Sequence, residues 1–324
     1  MNFMNNTRTL ILLLLALVTP NAYAQTTTQQ TPEQNARAAK PDEKKSKEKP
    51  RHETVGFESR LVGAALPYNV LLPADYKRGP SKNRRYPVLY LLHGLGGSAA
   101  DWVSTRARLA DYAAQYPFII VVPEGKDGWY TDGLVAREKF ESYFVDELIP
   151  DVDRRFRTVA SREGRAVAGL SMGGYGSMKF ALKHPELFAF AASMSGALAV
   201  ASWTPDQRIP EFVRASVVRV YGDAGSNVRI ENDVYKLVRE LTPERAKALP
   251  FLYLDCGTED FLITNSRDFS ALLIEKKVAH EFRELPGTHS WPYWDRQVQE
   301  VLRLAARQLS PPADGAKAKG AGGR

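Results

Sequence analysis

A chain of 324 residues, 44% hydrophobic and 25% charged, is long enough to bury one large core. That balance excludes a wholly disordered or fibrous protein. The formal net charge of +7 points at first to an anionic partner. Much of it, however, sits in residues 40–51 and 317–324, outside any periodic segment, as solvated tail charge does, so no nucleic-acid partner is expected. Cys256 is the single cysteine, which excludes an intrachain disulfide framework and leaves no cysteine near the N-terminus to take a lipid.

In chain order, residues 1–24 have the three parts of a secretory signal: Arg8, an apolar stretch over 10–18, and Ala22-Tyr23-Ala24 before Gln25. The apolar stretch falls short of the about 20 residues that a membrane-spanning helix requires. Cleavage is therefore expected, with export to the periplasm or beyond and no stable membrane insertion afterwards. Residues 25–53 are rich in Thr, Gln, Lys, Glu and Pro and poor in large apolar side chains, so a disordered tether is expected there. Residues 310–324 form a tail of the same kind. The catalytic domain is thus expected over 54–309, without internal repeats.

Within that domain strands and helices alternate. Residues 61–72, punctuated by Pro67 and Pro73, are expected as an edge hairpin partner. Residues 87–92 are a continuous apolar run, the pattern of a parallel strand covered on both faces. Residues 101–115 are expected as a helix, 118–122 as a buried strand and 138–156 as a helix, with Phe140, Phe144, Leu148 and Val152 at helical spacing. Strands follow over 165–167 and 188–194, the first leading into a helix over 175–184. Residues 196–240 are less regular, with Tyr221 closing a possible strand. A strand over 251–254, a helix over 266–277, a strand over 280–285 and a helix over 293–308 complete the domain. Such alternation predicts an α/β fold with a mostly parallel sheet and helices on both faces, ligands binding beyond the carboxyl ends of the strands.

The chain is organised around Gly169-Leu170-Ser171-Met172-Gly173, between a strand and a helix. Gly-x-Ser-x-Gly in that setting is the nucleophile elbow of the α/β-hydrolase fold. Side chains two residues either side of Ser171 would collide with neighbouring elements as the turn tightens. Other candidates also follow strands. His93-Gly94-Leu95-Gly96-Gly97 is an HG-type turn after the first buried strand, where this fold supplies one oxyanion donor; the backbone N–H groups of Leu95 and Met172 are assigned that role. His93 itself is read as structural. Of the other four histidines, only His289 follows a strand in a glycine-containing loop, which makes it the candidate base. Asp255, Glu259, Asp260 and Asp223 all lie near strand ends, and Asp260 is favoured because Gly257 supplies the turn that would swing it toward His289. Trp129, Tyr130 and Trp291 are expected to line a substrate pocket, Tyr293 and Trp294 to pack the core, and 196–240 to form a small cap. No zinc-ligand spacing, phosphate-binding loop or dinucleotide fingerprint appears, so neither cofactor nor metal is expected.

The stretch from about residue 60 to 307 resembles the putative-esterase family, which includes esterase D-type hydrolases, feruloyl and tributyrin esterases, and mycolyltransferases. The matching residues are Leu92-His93-Gly94, Gly128-Trp129-Tyr130-Thr131-Asp132, Glu147-Leu148-Ile149-Pro150, the elbow, His184-Pro185-Glu186-Leu187-Phe188, Cys256-Gly257-Thr258-Glu259-Asp260-Phe261 and His289-Ser290-Trp291-Pro292-Tyr293-Trp294. The resemblance implies a catalytic triad of Ser171, Asp260 and His289, with oxyanion donors at Leu95 and Met172. Thr288 departs from the family, whose members often carry glycine before the histidine. The resemblance implies a serine esterase acting on a small-molecule or glycan-linked acyl ester with a short-chain or aromatic acyl group. Two other readings stay open: an acyltransferase that passes the acyl group to a sugar hydroxyl, and an idle binding module on the same fold. Neither the acyl group, the alcohol nor the oligomeric state is legible from sequence.

Overall fold

The computed structural model describes residues 51–77, 83–204 and 209–310, all of them within one compact unit. The expected signal segment, nearly all of the tether and nearly all of the tail lie outside the described residues.

Ten strands are described: β1 (Arg51–Val55), β2 (Glu58–Ser59), β3 (Ala64–Ala65), β4 (Tyr68–Leu72), β5 (Val88–Leu92), β6 (Ile119–Pro123), β7 (Arg165–Leu170), β8 (Phe190–Met194), β9 (Phe251–Gly257) and β10 (His280–Leu285). Eight form one sheet in the order β1-β4-β6-β5-β7-β8-β9-β10, while β2 and β3 pair separately. Within the large sheet every neighbour from β6 to β10 is parallel, and β1–β4 and β4–β6 are antiparallel, as is the separate β2–β3 pair. The mostly parallel sheet with flanking helices is that of the α/β-hydrolase fold. Chain order reverses on either side of β5, since β6 lies on one flank and β7 on the other. The loops leaving β5 and β7 therefore part company, and the crevice between them is where an open α/β sheet binds its ligand.

Strands β5 to β8 are buried throughout, as their apolar runs require. Alternate side chains feed different layers. Val88, Tyr90 and Leu92 face a core with Phe144, Met178 and Phe180, whereas Leu89 and Leu91 face one with Leu109, Tyr112, Val298 and Val301.

The helices are α1 (Leu109–Ala113), α2 (Phe140–Ser142), a π-helical turn (Tyr143–Leu148), α3 (Ile149–Arg155), α4 (Met172–Lys183), α5 (Glu211–Tyr221), α6 (Asn227–Asn232), α7 (Val234–Arg239), α8 (Pro243–Ala248), α9 (Ile263–Glu275) and α10 (Trp291–Gln308). The single helix expected over 138–156 is thus three segments. Pro150 has no N–H to give Asp146, and the helix widens immediately before it.

Other elements differ from expectation. The helix expected over 101–115 is a 3-10 turn (Asp101–Val103) and the short α1. The less regular 196–240 stretch is largely helical, and the possible strand ending at Tyr221 is α5: Val217 and Val220 are buried while Val218 is exposed, a helical alternation. β4 is internal rather than at an edge. β1 covers it, starting inside the expected tether, because Asn69 accepts from both His52 Nε2 (2.8 Å) and Thr54 Oγ1 (2.7 Å). Among the described residues no helix is long and apolar enough to cross a membrane.

Candidate active site

The elbow joins β7 to α4, with Ser171 between them at φ +53°, ψ −113°. A non-glycine residue there is strained by about 1–3 kcal/mol and persists only where its surroundings leave no alternative. They leave none. Ser171 N–H donates to Met194 O (2.9 Å), and Ser171 O accepts from Tyr175 N (3.0 Å) and Ala197 N (3.1 Å). A Cβ on Gly169 would lie 2.5 Å from the Gly173 carbonyl, and one on Gly173 would lie 2.6 Å from Leu92 O. The glycines at both ends of Gly-x-Ser-x-Gly are thus places where backbone meets backbone.

Loops after β9 and β10 supply the other two side chains, and they are clasped together. A Cβ on Gly257 would fall 2.1 Å from Gly287 O. Thr258 N donates to Leu285 O (2.9 Å), Glu259 N to Gly287 O (3.0 Å), and Gly287 N to the Glu259 carboxylate (2.6 Å). In that clasp Asp260 Oδ2 lies 2.9 Å from His289 Nδ1, and His289 Nε2 lies 3.0 Å from Ser171 Oγ. Burial pushes the Asp260 carboxyl upward, but its bond and ion pair with His289, together with the Leu262 N–H, outweigh that and hold it below the ordinary carboxylate range. An ionised Asp260 accepts from Nδ1–H, which leaves Nε2 free to take the serine proton.

The remaining candidate carboxylates have other partners or none. Glu259 ties the two loops. Asp223 is exposed on the loop after α5. Asp255 is fully buried, accepts from Tyr293 OH (3.0 Å), and burial pushes its carboxyl up to about 7.

Leu95 lies in the turn closed by Gly97 N to Gly94 O (3.1 Å), and Met172 opens α4, so its N–H is one of the orphan donors of a first helical turn. A cleft of about 440 Å³ opens over Ser171 and His289, with Leu95, Trp129, Trp291 and Leu170 in its walls. Residues of the expected cap complete it: Trp203, Ile209, Pro210, Phe212 and Val213. A larger hollow of about 750 Å³ lies near α8 and the start of β9, remote from these groups.

One aromatic assignment differs from expectation, and another residue does more than expected. Tyr130 is not in the cleft wall; it is buried, and its hydroxyl donates to His93 O (3.1 Å). Left-handed backbone at both Trp129 and Tyr130, φ +51° each, turns Trp129 to the cleft and Tyr130 inward. Trp294 packs in the core as expected, and in addition its ring stands edge-on to His289 with centroids 4.9 Å apart and reaches the cleft. Phe261 covers the imidazole from another side at 4.7 Å and is 74% exposed. Proximity to Asp260 in the chain was the only sequence signal for Phe261. Tyr293 packs in the core as expected, and His93 is structural: buried, accepting from Gly125 N (2.9 Å).

Comparison with known proteins agrees with this architecture. A family profile described as putative esterase matches residues 59–304. An acetyl esterase of Caldicellulosiruptor saccharolyticus is 29% identical, the match covering 78% of this chain and 97% of the relative. An esterase of Mycobacterium tuberculosis is 32% identical over 72% of this chain, which spans about half (54%) of that relative's length. Among solved structures, a ferulic acid esterase superposes with a TM-score of 0.68 at 26% identity, covering 81% of this chain and 100% of its own. A fluorophosphonate-binding serine hydrolase of Staphylococcus aureus superposes with a TM-score of 0.70 at 25% identity, covering 80% and 99%. With 59–304 matched, the chain belongs to the putative-esterase family of acyl-ester hydrolases.

Proposed function

We propose that this protein is an exported serine carboxylesterase that works through an acyl-enzyme on Ser171. The observation that carries the reading is the continuous relay Asp260–His289–Ser171, with contacts of 2.9 and 3.0 Å, at the floor of an apolar cleft. Ser171 Oγ attacks the ester carbonyl while His289 Nε2 takes its proton. Asp260 holds the imidazole tautomer and stabilises the imidazolium without itself accepting the proton. Negative charge on the carbonyl oxygen falls to the N–H groups of Leu95 and Met172, fixed main-chain donors that need no reorganisation. His289 then protonates the leaving alkoxide. Water, deprotonated by the same nitrogen, attacks the acyl-enzyme, and His289 returns the proton to Ser171.

The acyl group suggested by the cleft is short or planar. Trp129, Trp291 and Trp203 offer flat walls, and aromatic contacts add about 0.5–1.5 kcal/mol beyond burial. Export rests on the secretory pattern of residues 1–24, and an ester carried on a glycan outside the membrane fits an open cleft with charged groups at Asp101 and Arg106. The test is a panel of p-nitrophenyl acyl esters and methyl ferulate, with wild type and Ser171→Ala. Hydrolysis is expected to peak from acetyl to butyryl or with cinnamoyl-type esters and to fall by C10. Ser171→Ala is expected to lose activity at least about ten-thousandfold. A folded Ser171→Ala variant with near-normal turnover contradicts the mechanism. With glucose or trehalose added, acyl transfer exceeding hydrolysis makes a sugar, rather than water, the acceptor.

A further inference from the structure

Behind the cleft, eight residues along α4 from the nucleophile, Lys179 is completely buried. Its ammonium has three N–H donors and all three are used: to Tyr130 O (2.6 Å), Thr131 Oγ1 (2.9 Å) and the Glu141 carboxylate (2.8 Å). Burial disfavours the cation and lowers the ammonium to about 8, a shift that Glu141 opposes only in part. Replacing such a buried pair with well-packed apolar residues is often neutral or stabilising, so core packing alone does not call for an ammonium here.

What an ammonium can do, and a methyl group cannot, is grip main-chain oxygens. The turn it grips is the one that holds Trp129 and Tyr130 consecutively in left-handed backbone. Thr131 Oγ1, which accepts from Lys179, donates in turn to Trp129 O (2.9 Å). The Tyr130 ring fills a slot with no slack: a Cβ on Gly176 would lie 2.7 Å from it, and one on Gly125 2.5 Å. Its hydroxyl ends on His93 O, two residues before Leu95 in the turn that faces Ser171. One buried cation is therefore tied both to the aromatic cleft wall and to the HG turn.

We propose that Lys179 is a positioning residue: it locks the Trp129–Tyr130 turn, setting the acyl-side wall directly and, through the Tyr130 hydroxyl, the His93–Leu95 turn above Ser171. The inference rests on the esterase reading. It predicts two separable effects. Loss of the grip on the turn changes acyl preference, while loss of the Tyr130 strut alone changes turnover without changing preference.

The experiment compares wild type, the double variant Lys179→Met/Glu141→Leu, which removes both partners of the buried pair and leaves Lys183 and His184, the other groups on Glu141, at partly exposed positions, and Tyr130→Phe. Active sites are titrated with a fluorophosphonate, and folding is followed by circular dichroism. For the double variant we expect kcat per titrated site to fall about tenfold and the cinnamoyl-to-acetyl preference to shift about fivefold. For Tyr130→Phe, kcat is expected to fall about threefold or more with KM and preference unchanged. A purely structural Lys179 lowers the melting temperature but leaves kcat per site and acyl preference at wild-type values, and that result overturns the proposal. If the double variant does not fold, Tyr130→Phe decides: a wild-type kcat overturns it. Failure of the esterase reading shows separately, as wild type that hydrolyses none of the esters and takes no label on Ser171.

Discussion

The elbow floor and the cap segment are built by opposite means. At the floor, contacts are main chain on main chain: Gly173 against Leu92 O, Gly257 against Gly287 O, Ser171 held through its own N–H and carbonyl. In the cap, the cleft is met by side chains: Trp203 ahead of α5, and Val213 and the 63%-exposed Phe212 on α5. Backbone contacts tolerate almost no displacement and therefore suit a reaction that is lost when atoms move by about 1 Å. Side chains on surface helices can be exchanged at little cost to the fold, and so suit selection among acyl groups. Chemistry and specificity are thus carried by regions of different mechanical character.

The strongest way to break that contrast is at the acid. Asp260→Asn is expected to lower kcat by about three to four orders of magnitude, because the imidazole loses the acceptor that fixes its tautomer. Ester kinetics on the folded variant test this; a loss of less than about tenfold moves the acid elsewhere. Next comes Gly173→Ala. Its new Cβ would meet Leu92 O at 2.6 Å and His93 O at 2.7 Å, both immovable backbone atoms. We expect about a hundredfold loss of kcat/KM, visible in kcat rather than KM. Near-normal turnover in this variant would mean that the floor is not rigid.

On the cap side, Phe212→Ala is expected to leave kcat for p-nitrophenyl acetate within about twofold while weakening cinnamoyl esters about fivefold, with an unchanged melting temperature. Equal loss for both esters would place Phe212 in the chemistry and erase the contrast.

The smallest effect on activity is expected at Asp255, five residues from Asp260 and opposite in character. Its folded-state carboxyl, pushed up to about 7 by burial, retains a proton that the unfolded chain releases near pH 3.9. Wild-type stability should therefore fall as pH rises from about 4 to about 7, by an amount on the order of 4 kcal/mol. Asp255→Asn removes that fall: it should match wild type only below about pH 4, already exceed it modestly in melting temperature at pH 5 and most at pH 8, and keep wild-type turnover. Catalytic loss in Asp255→Asn would make it, rather than Asp260, the acid.

The floor was the more legible region in the sequence, and for a physical reason. Backbone contacts demand glycine, so Gly169, Gly173, Gly257 and Gly287 mark the close approaches, and Ser171, Asp260 and His289 stand at fixed offsets from them. The cap left no such marks. The run Val217, Val218, Val220 and Tyr221 reads as well for a strand as for the helix it forms, since four apolar residues do not fix a period. Tyr130 was misdirected because paired left-handed residues are written in no side-chain pattern; the turn is imposed by Lys179, which in sequence is one more lysine on a helix. β1 was missed for a similar reason. An edge strand of mixed polarity such as Arg51–Val55 carries no apolar run, and what recruits it is Asn69, seventeen residues after His52.

The central claim is an acyl-enzyme on Ser171, and the most direct measurement traps it. Protein quenched in acid during turnover of p-nitrophenyl butyrate, or treated with a fluorophosphonate, is digested and mapped by mass spectrometry. The account predicts one butyryl or phosphonyl group per chain, on the peptide spanning residues 166–179 at Ser171, and none in Ser171→Ala. An adduct on another residue, or continued ester hydrolysis with Ser171 unmodified, contradicts it.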